Sequence, residues 1–136
     1  MRCLLGIDIG TYEAKGVLTD LQGRILAQAK RGYELALPKP GWAEHDADEV
    51  WWAGFVQLAR QLIRDAGVDP TAIAGVACSA ISPCVLPLDE SGRPLRPAIL
   101  YGIDTRAIEE IAELNTQLGA QSIIDTGGTE LSAQSA

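Results

Sequence analysis

Asp8 stands near the end of an apolar run, Leu4-Leu5-Gly6-Ile7-Asp8-Ile9, that breaks at Gly10-Thr11, and Lys15 follows at the start of a second apolar run. A strand read as buried rarely carries an unpaired carboxylate, so Asp8 needs a reason. A hard cation held next to phosphate groups supplies one, because the turn immediately after it is rich in backbone N–H groups. The alternative is structural: Asp8 caps a turn, and the glycines only tighten a hairpin. The local residues leave both readings open.

Other chemistries have less material. His45 is the single histidine of the chain, which excludes a multi-His zinc site and leaves little for a Ser-His or Cys-His nucleophile pair. Cys3, Cys78 and Cys84 cannot pair completely, and none lies in a C-x-x-C spacing. They read as reduced core residues of a cytoplasmic protein.

The chain has 136 residues, of which 47% are hydrophobic, and that suits one soluble domain with a real core. Its 18 acidic residues outnumber 11 basic ones, for a net charge of −7 and no basic cluster, which argues against nucleic acid or an anionic membrane surface as a partner. No apolar run approaches the roughly 20 residues that a membrane span needs. The N-terminus also lacks the pattern of a secretory signal.

Three short strands are expected over 3–9, 14–20 and 24–30. The turn at Asp20-Leu21-Gln22-Gly23 and the one at Gly10-Thr11 make them an antiparallel meander. Pro38 and Pro40 mark an extended connection. Asp46, with Glu49 three positions on, then starts a helix whose Trp51, Trp52, Phe55, Leu58, Leu62 and Ile63 repeat at helical spacing until Gly67 and Pro70 end it. Residues 73–81 form a wholly apolar strand, expected to be buried on both faces and parallel to the first. A strand at Cys84 to Leu88, a turn at Asp89 to Gly92, a segment at Ala98 to Tyr101 and a helix over 105–118 complete the order. From Gly127 the chain turns small and polar and stops without a final core element, as a truncated lobe would. The expected class is α/β, a mixed sheet with helices packed on it.

Four segments, in order, resemble the N-terminal lobe of the FGGY carbohydrate kinases, the group of xylulose, glycerol, gluconate and ribulose kinases. They are Gly6-Ile7-Asp8-Ile9-Gly10-Thr11 with Lys15; Pro40-Gly41-Trp42-Ala43-Glu44-His45-Asp46; the strand Ile73 to Ser79; and Arg96-Pro97-Ala98-Ile99-Leu100-Tyr101 continuing through Asp104-Thr105-Arg106. The resemblance implies a ribonuclease-H-like fold, shared with actin, hexokinase and Hsp70. It makes residues 1–136 an incomplete N-terminal lobe, about the first quarter of a family member.

The resemblance also implies roles. Asp8 would hold Mg²⁺ beside the phosphates of ATP, Gly10 would let the backbone approach, and Thr11 would donate to phosphate oxygens. Lys15 would touch phosphate, with a solvated strand-edge lysine as the alternative. Glu13 departs from the family pattern: either it points away from the phosphates, or the loop binds nucleotide less well. Ser79, Ser82, Tyr101, Asp104 and Arg106 would contact a sugar or polyol. Asp104 has a helix N-cap as its alternative role, and Glu44 a brace for the helix after it. Ser79-Ala80-Ile81-Ser82 replaces the Gln-Met-His of xylulose kinases and the Arg-Glu of glycerol kinases, which weakens both of those assignments. The general-base Asp and the rest of the ATP site would lie past residue 136, in the C-terminal lobe. The implied activity is phosphorylation of a sugar or polyol hydroxyl by the intact enzyme. The alternative is an inactive lobe that self-associates, a homodimer among the forms it could take.

Overall fold

In the first strand Cys3, Leu5, Ile7 and Ile9 are buried, while Leu4 and Asp8 are exposed, the period of two that a pleat imposes. The computed structural model describes residues 1–133. In chain order they form β1 (Cys3–Ile9), β2 (Glu13–Asp20), β3 (Ile25–Gly32), β4 (Glu44–His45), a wide π-type turn (Ala47–Trp52), α1 (Ala53–Ala66), a 3-10 turn (Pro70–Ala72), β5 (Ile73–Ala80), β6 (Ala98–Ile99), α2 (Ile108–Leu118) and α3 (Ala120–Gly127). They divide into two compact units, Met1–Leu35 with Asp46–Ile81, and Ala36–His45 with the chain from Ser82 onward.

The first unit holds a four-stranded mixed sheet in the order β3-β2-β1-β5. The expected meander is present, β1 and β2 pairing antiparallel and β2 and β3 likewise, and β5 runs parallel to β1. Asp46 caps the helical segment, its Oδ1 accepting the N–H groups of Asp48 at 3.0 Å and Glu49 at 2.9 Å. α1 packs on β1, β2 and β3, with Leu58 and Leu62 buried in the same cluster as Cys3, Leu5, Ile7, Ile9, Ala14 and Leu18.

Several expectations are corrected here. Asp8 is not a buried carboxylate: with the core side chains of β1 turned toward α1, the pleat places Asp8 on the open face. β5 is not covered on both faces, since residues 76–80 are exposed on a strand that forms the sheet edge beyond α1. Trp52 is exposed and stacks on Phe55 with ring centroids 6.1 Å apart, so only Trp51 of that pair packs against the core. Of the three cysteines Cys3 alone is buried, and Cys78 is exposed.

In the second unit β4 and β6 pair antiparallel. The strand expected at 84–88 is reduced to the bridges Val85↔Ile99 and Leu88↔Pro94, because Pro87 has no N–H to give a ladder. The helix expected over 105–118 begins at Ile108, and α3 was not foreseen, Gly119 ending one helix and starting the next. Two turns share one device. In Asp20-Leu21-Gln22-Gly23-Arg24 and in Asp89-Glu90-Ser91-Gly92-Arg93 the carboxylate accepts the N–H groups two and four residues on and pairs with the Arg side chain. Bonds from the Ser91 hydroxyl, the Arg93 backbone and the Arg93 side chain bring the Asp89 carboxyl down to about 2.

Truncating Leu62 to Ala opens a hole between α1 and the sheet. The first unit is expected to lose about 2–5 kcal/mol, read as a lower urea midpoint in far-ultraviolet circular dichroism.

Candidate functional site

The turn after β1 is built by its backbone. The Gly10 N–H donates to the Glu13 carbonyl at 3.0 Å, and a side chain at position 10 would bring its Cβ within 2.8 Å of that oxygen. Only glycine fits so close an approach. The Tyr33 hydroxyl donates to the Gly10 carbonyl from the far side of the meander, a support for the turn that no spacing in the sequence announces. Partial burial, and then the Asp8 charge, raise the Tyr33 phenol above its ordinary value.

Asp8 faces outward beside this turn. The Ser79 hydroxyl, on the neighbouring β5, donates to Asp8 Oδ1 at 2.5 Å. The two are register partners across the parallel pair, as Asp8 and Lys15 are across β1 and β2, and Lys15 and Lys30 across β2 and β3. Register partners share a face. Lys30, Lys15, Asp8 and Ser79 therefore form one polar row across all four strands. All four line a cavity of about 870 Å³ on the open face.

Glu13 lines the same cavity, so it does not point away from Asp8. It pairs with Lys15 at 3.1 Å and Lys30 at 3.7 Å. The Lys15 hydrogen bond leads the causes that hold its carboxyl below the ordinary value. Lys15 thus stands on an interior strand, not an edge, and carries an ion pair while its side chain stays open to solvent. Partial desolvation and the Asp8 charge push the Cys78 thiol up, which keeps it protonated and poorly nucleophilic. Among the described residues no group of three or more His, Cys, Asp or Glu forms a metal cage.

The second unit gathers a different cluster. Asp104 is buried: Oδ2 accepts the Ala43 N–H at 2.7 Å and Arg106 Nη2 at 2.6 Å, while Oδ1 accepts the Arg106 backbone N–H at 3.1 Å and Nε at 2.8 Å. Each oxygen has its two donors, the usual capacity of a carboxylate. The N-cap alternative for Asp104 is not found, since α2 starts at Ile108 with Ala107 before it. Burial raises the Asp104 carboxyl, but the bonds from Arg106 and Ala43 outweigh it and hold the group below its ordinary 3.8.

Arg106 also pairs through Nη2 with Glu44 at 2.8 Å, and Arg96 pairs with the same Glu44 oxygen. Glu44 is therefore tied to two arginines, and the brace of the following helix falls to Asp46. The Arg106 guanidinium lies 3.8 Å over the Trp42 ring, with Lys39 at 4.5 Å and Arg96 at 5.8 Å. At Gly41, φ is +77° and an added Cβ would lie 2.6 Å from the Thr105 hydroxyl, so glycine carries the segment past Thr105. Tyr101 lines a cavity of about 190 Å³ together with Asp104 and Arg106, and Ser82 is exposed outside that lining.

Residues 3–135 match the model of the FGGY family of carbohydrate kinases, N-terminal domain. The chain belongs to the FGGY family. It is similar to the glycerol kinase of Thermococcus onnurineus, 32% identical over 112 residues that make up 81% of this chain and 22% of that kinase. Its fold matches the crystal structure of xylulose kinase from Rhodospirillum rubrum with a TM-score of 0.87 and 30% identity, covering 98% of this chain and 27% of the other. Gluconate kinase from Lactobacillus acidophilus gives 0.82 at 26% identity, over 94% and 25%. The chain thus spans about a quarter of the length of the relatives it matches. The FGGY fold is of the actin and hexokinase kind, and the mixed sheet with its three-strand meander is the part present here.

Two outcomes follow from the Arg106 cluster. Arg106→Ala leaves Asp104 buried without a cation and Glu44 paired with Arg96 alone, an expected loss of about 3–5 kcal/mol in denaturant unfolding. A native carboxyl held below its unfolded value contributes stability that is complete above about pH 4 and is lost as pH falls through the lower native value. The Ala43 amide proton, which reports on Asp104, is accordingly expected to titrate in NMR with a midpoint below 3.8, and Asp104→Asn to abolish that titration.

Proposed function

We propose that the protein containing this chain transfers the γ-phosphoryl group of ATP to a hydroxyl of a sugar or polyol, and that the first unit supplies its first phosphate loop. The observation that carries this reading is Asp8, exposed on the open face and held by Ser79 beside a turn too close for any residue but glycine. Membership of a carbohydrate kinase family gives the reaction class.

The residues suit Mg²⁺. One outward carboxylate with a neighbouring hydroxyl is the sparse oxygen set of an ion that keeps several waters and shares the oxygens of a bound polyphosphate. Asp8 would hold it, and Ser79 fixes the orientation of that carboxylate. When bound, the ion neutralises charge on the phosphoryl group in flight. Gly10 lets the backbone come close to a phosphate, the Thr11 hydroxyl donates to it, and Lys15 lends it positive charge.

Sugar contacts are assigned to Ser79, Ser82 and Tyr101, the Tyr101 ring offering an apolar face to stack on. Asp104 and Arg106 serve the same substrate by position: both Asp104 oxygens and the Arg106 Nε and Nη2 are engaged by Ala43, Glu44 and each other, which fixes the segment after Gly41. The general base and the adenosine site are assigned to a C-terminal lobe, and the setting to the cytoplasm. On its own the chain is inactive in this reading.

A second reading, a folded module that self-associates, is favoured by the exposed Leu4, Ile25 and Val76 of the sheet. A dimer of the 136-residue chain at micromolar concentration in sedimentation would support it.

In the longer protein, Asp8→Ala is expected to lower the rate of sugar phosphorylation at least about 10²-fold, while sugar binding changes little. In a coupled assay over pentuloses, hexuloses and polyols, the 136-residue chain is expected to show no turnover. Turnover by that chain which Asp8→Ala abolishes would overturn the claim that it is inactive alone.

A further inference from the structure

The polar row on the open face carries like charges at one end. Lys15 and Lys30 are register partners on adjacent strands, about 5 Å apart along the sheet, and like charges directly opposite destabilise a strand pair. Glu13 relieves this by reaching both ammonium groups, with one carboxylate oxygen on each. The contacts are exposed: the lysine side chains keep 63% and 75% of their accessible surface, and that of Glu13 keeps 36%. Ion pairs as open as these contribute little, and the Lys30 contact is long at 3.7 Å. A carboxylate bridging two ammonium groups makes the contacts that two phosphate oxygens would make. The row continues to Asp8 one strand away and ends on Ser79.

We propose that Lys15 and Lys30 form an anion subsite for the oxyanions of a di- or triphosphate, with Glu13 as its displaceable internal counter-ion. The subsite deepens the phosphate-loop reading of Asp8 and rests on it. Lys30, two strands from Asp8, takes the far oxyanion, and Lys15 the near one. Glu13 sets the threshold, since an incoming anion must carry enough charge to displace a carboxylate already in place. A single phosphate gains less than a polyphosphate does, so the subsite discriminates by charge number and reach.

The test uses the 136-residue chain and inorganic tripolyphosphate in isothermal titration calorimetry at low ionic strength, with and without Mg²⁺. Glu13→Gln, Lys30→Gln and the double variant all change exposed side chains, and circular dichroism verifies that each keeps the fold. Without metal, Glu13→Gln is expected to bind roughly three- to five-fold tighter than the unchanged chain and Lys30→Gln about three-fold weaker. In the Lys30→Gln background the gain from Glu13→Gln is expected to vanish, which separates displacement from a general change in charge. Asp8→Asn removes the same charge without touching a lysine pair, and its gain without metal is expected to be smaller than that of Glu13→Gln. Equal gains from Asp8→Asn and Glu13→Gln, a Glu13→Gln gain that survives loss of Lys30, or no gain from Glu13→Gln would each overturn the subsite. Absence of binding by both the unchanged chain and Glu13→Gln would also overturn it. Failure of Mg²⁺ to strengthen binding through Asp8 would instead overturn the metal role of Asp8, and the metal-free arm would still decide the subsite.

Discussion

The packing of one face of β1 against α1 is the constraint on which the first unit depends. Cys3, Leu5, Ile7 and Ile9 are drawn to Leu58 and Leu62 because apolar surface is expelled from water. The pleat then leaves Leu4, Gly6 and Asp8 no choice of side. Because neighbouring strands share register, the same choice sends Lys15, Lys30 and Ser79 outward with Asp8. A hydrophobic decision on one face of the sheet thereby assembles a polar row on the other. A slip of one residue in β1 would bury Asp8 and dissolve the row, which is why a packed core and a charged site enforce each other here.

The second unit is organised by charge. Asp104 and Glu44 are buried acids, and Arg106 serves both while lying over Trp42. The network holds because both buried acids have a cation, an unpaired buried charge being costly. Its consequence is geometric: the Ala43 N–H is fixed to Asp104, the Thr105 N–H donates to the Gly41 carbonyl, and two segments far apart in sequence become one piece. Tyr101 and its small cavity are presented from that piece.

Much of this was legible beforehand. The meander, the parallel β5, the Asp46 cap, the stop at Gly67 and the two Asp-x-x-Gly turns all follow from local chemistry, and local chemistry is present in the residues themselves. What was misread depended on who covers whom. An apolar run such as Ile73 to Ile81 announces burial, yet β5 lies at an edge beyond the reach of α1. Trp52 has helical spacing but falls on the open flank of its stripe. The expected helix starts at 105 because Asp104 looks like its cap, while in the fold Asp104 and Thr105 are engaged by the Gly41 to Ala43 segment and α2 begins at Ile108. The link from Tyr33 to Gly10, and the shared use of Glu44 by Arg96 and Arg106, join residues separated by 23, 52 and 62 positions, and no periodicity encodes such pairs.

The order of residues alone determined the family, the order of strands and helix in the first unit, and the identity of Asp8, Gly10 and Thr11 as the segment to watch, since motif spacing and local turn chemistry survive without a fold. Tertiary structure decided that Asp8 is exposed and not buried, that Glu13 pairs with Lys15 and Lys30, and that Asp104 is consumed by Arg106 and Ala43. The reason is the same in each case. Charge pairing and burial are properties of neighbours in space, and those neighbours come from strands and loops that only the packed core brings side by side.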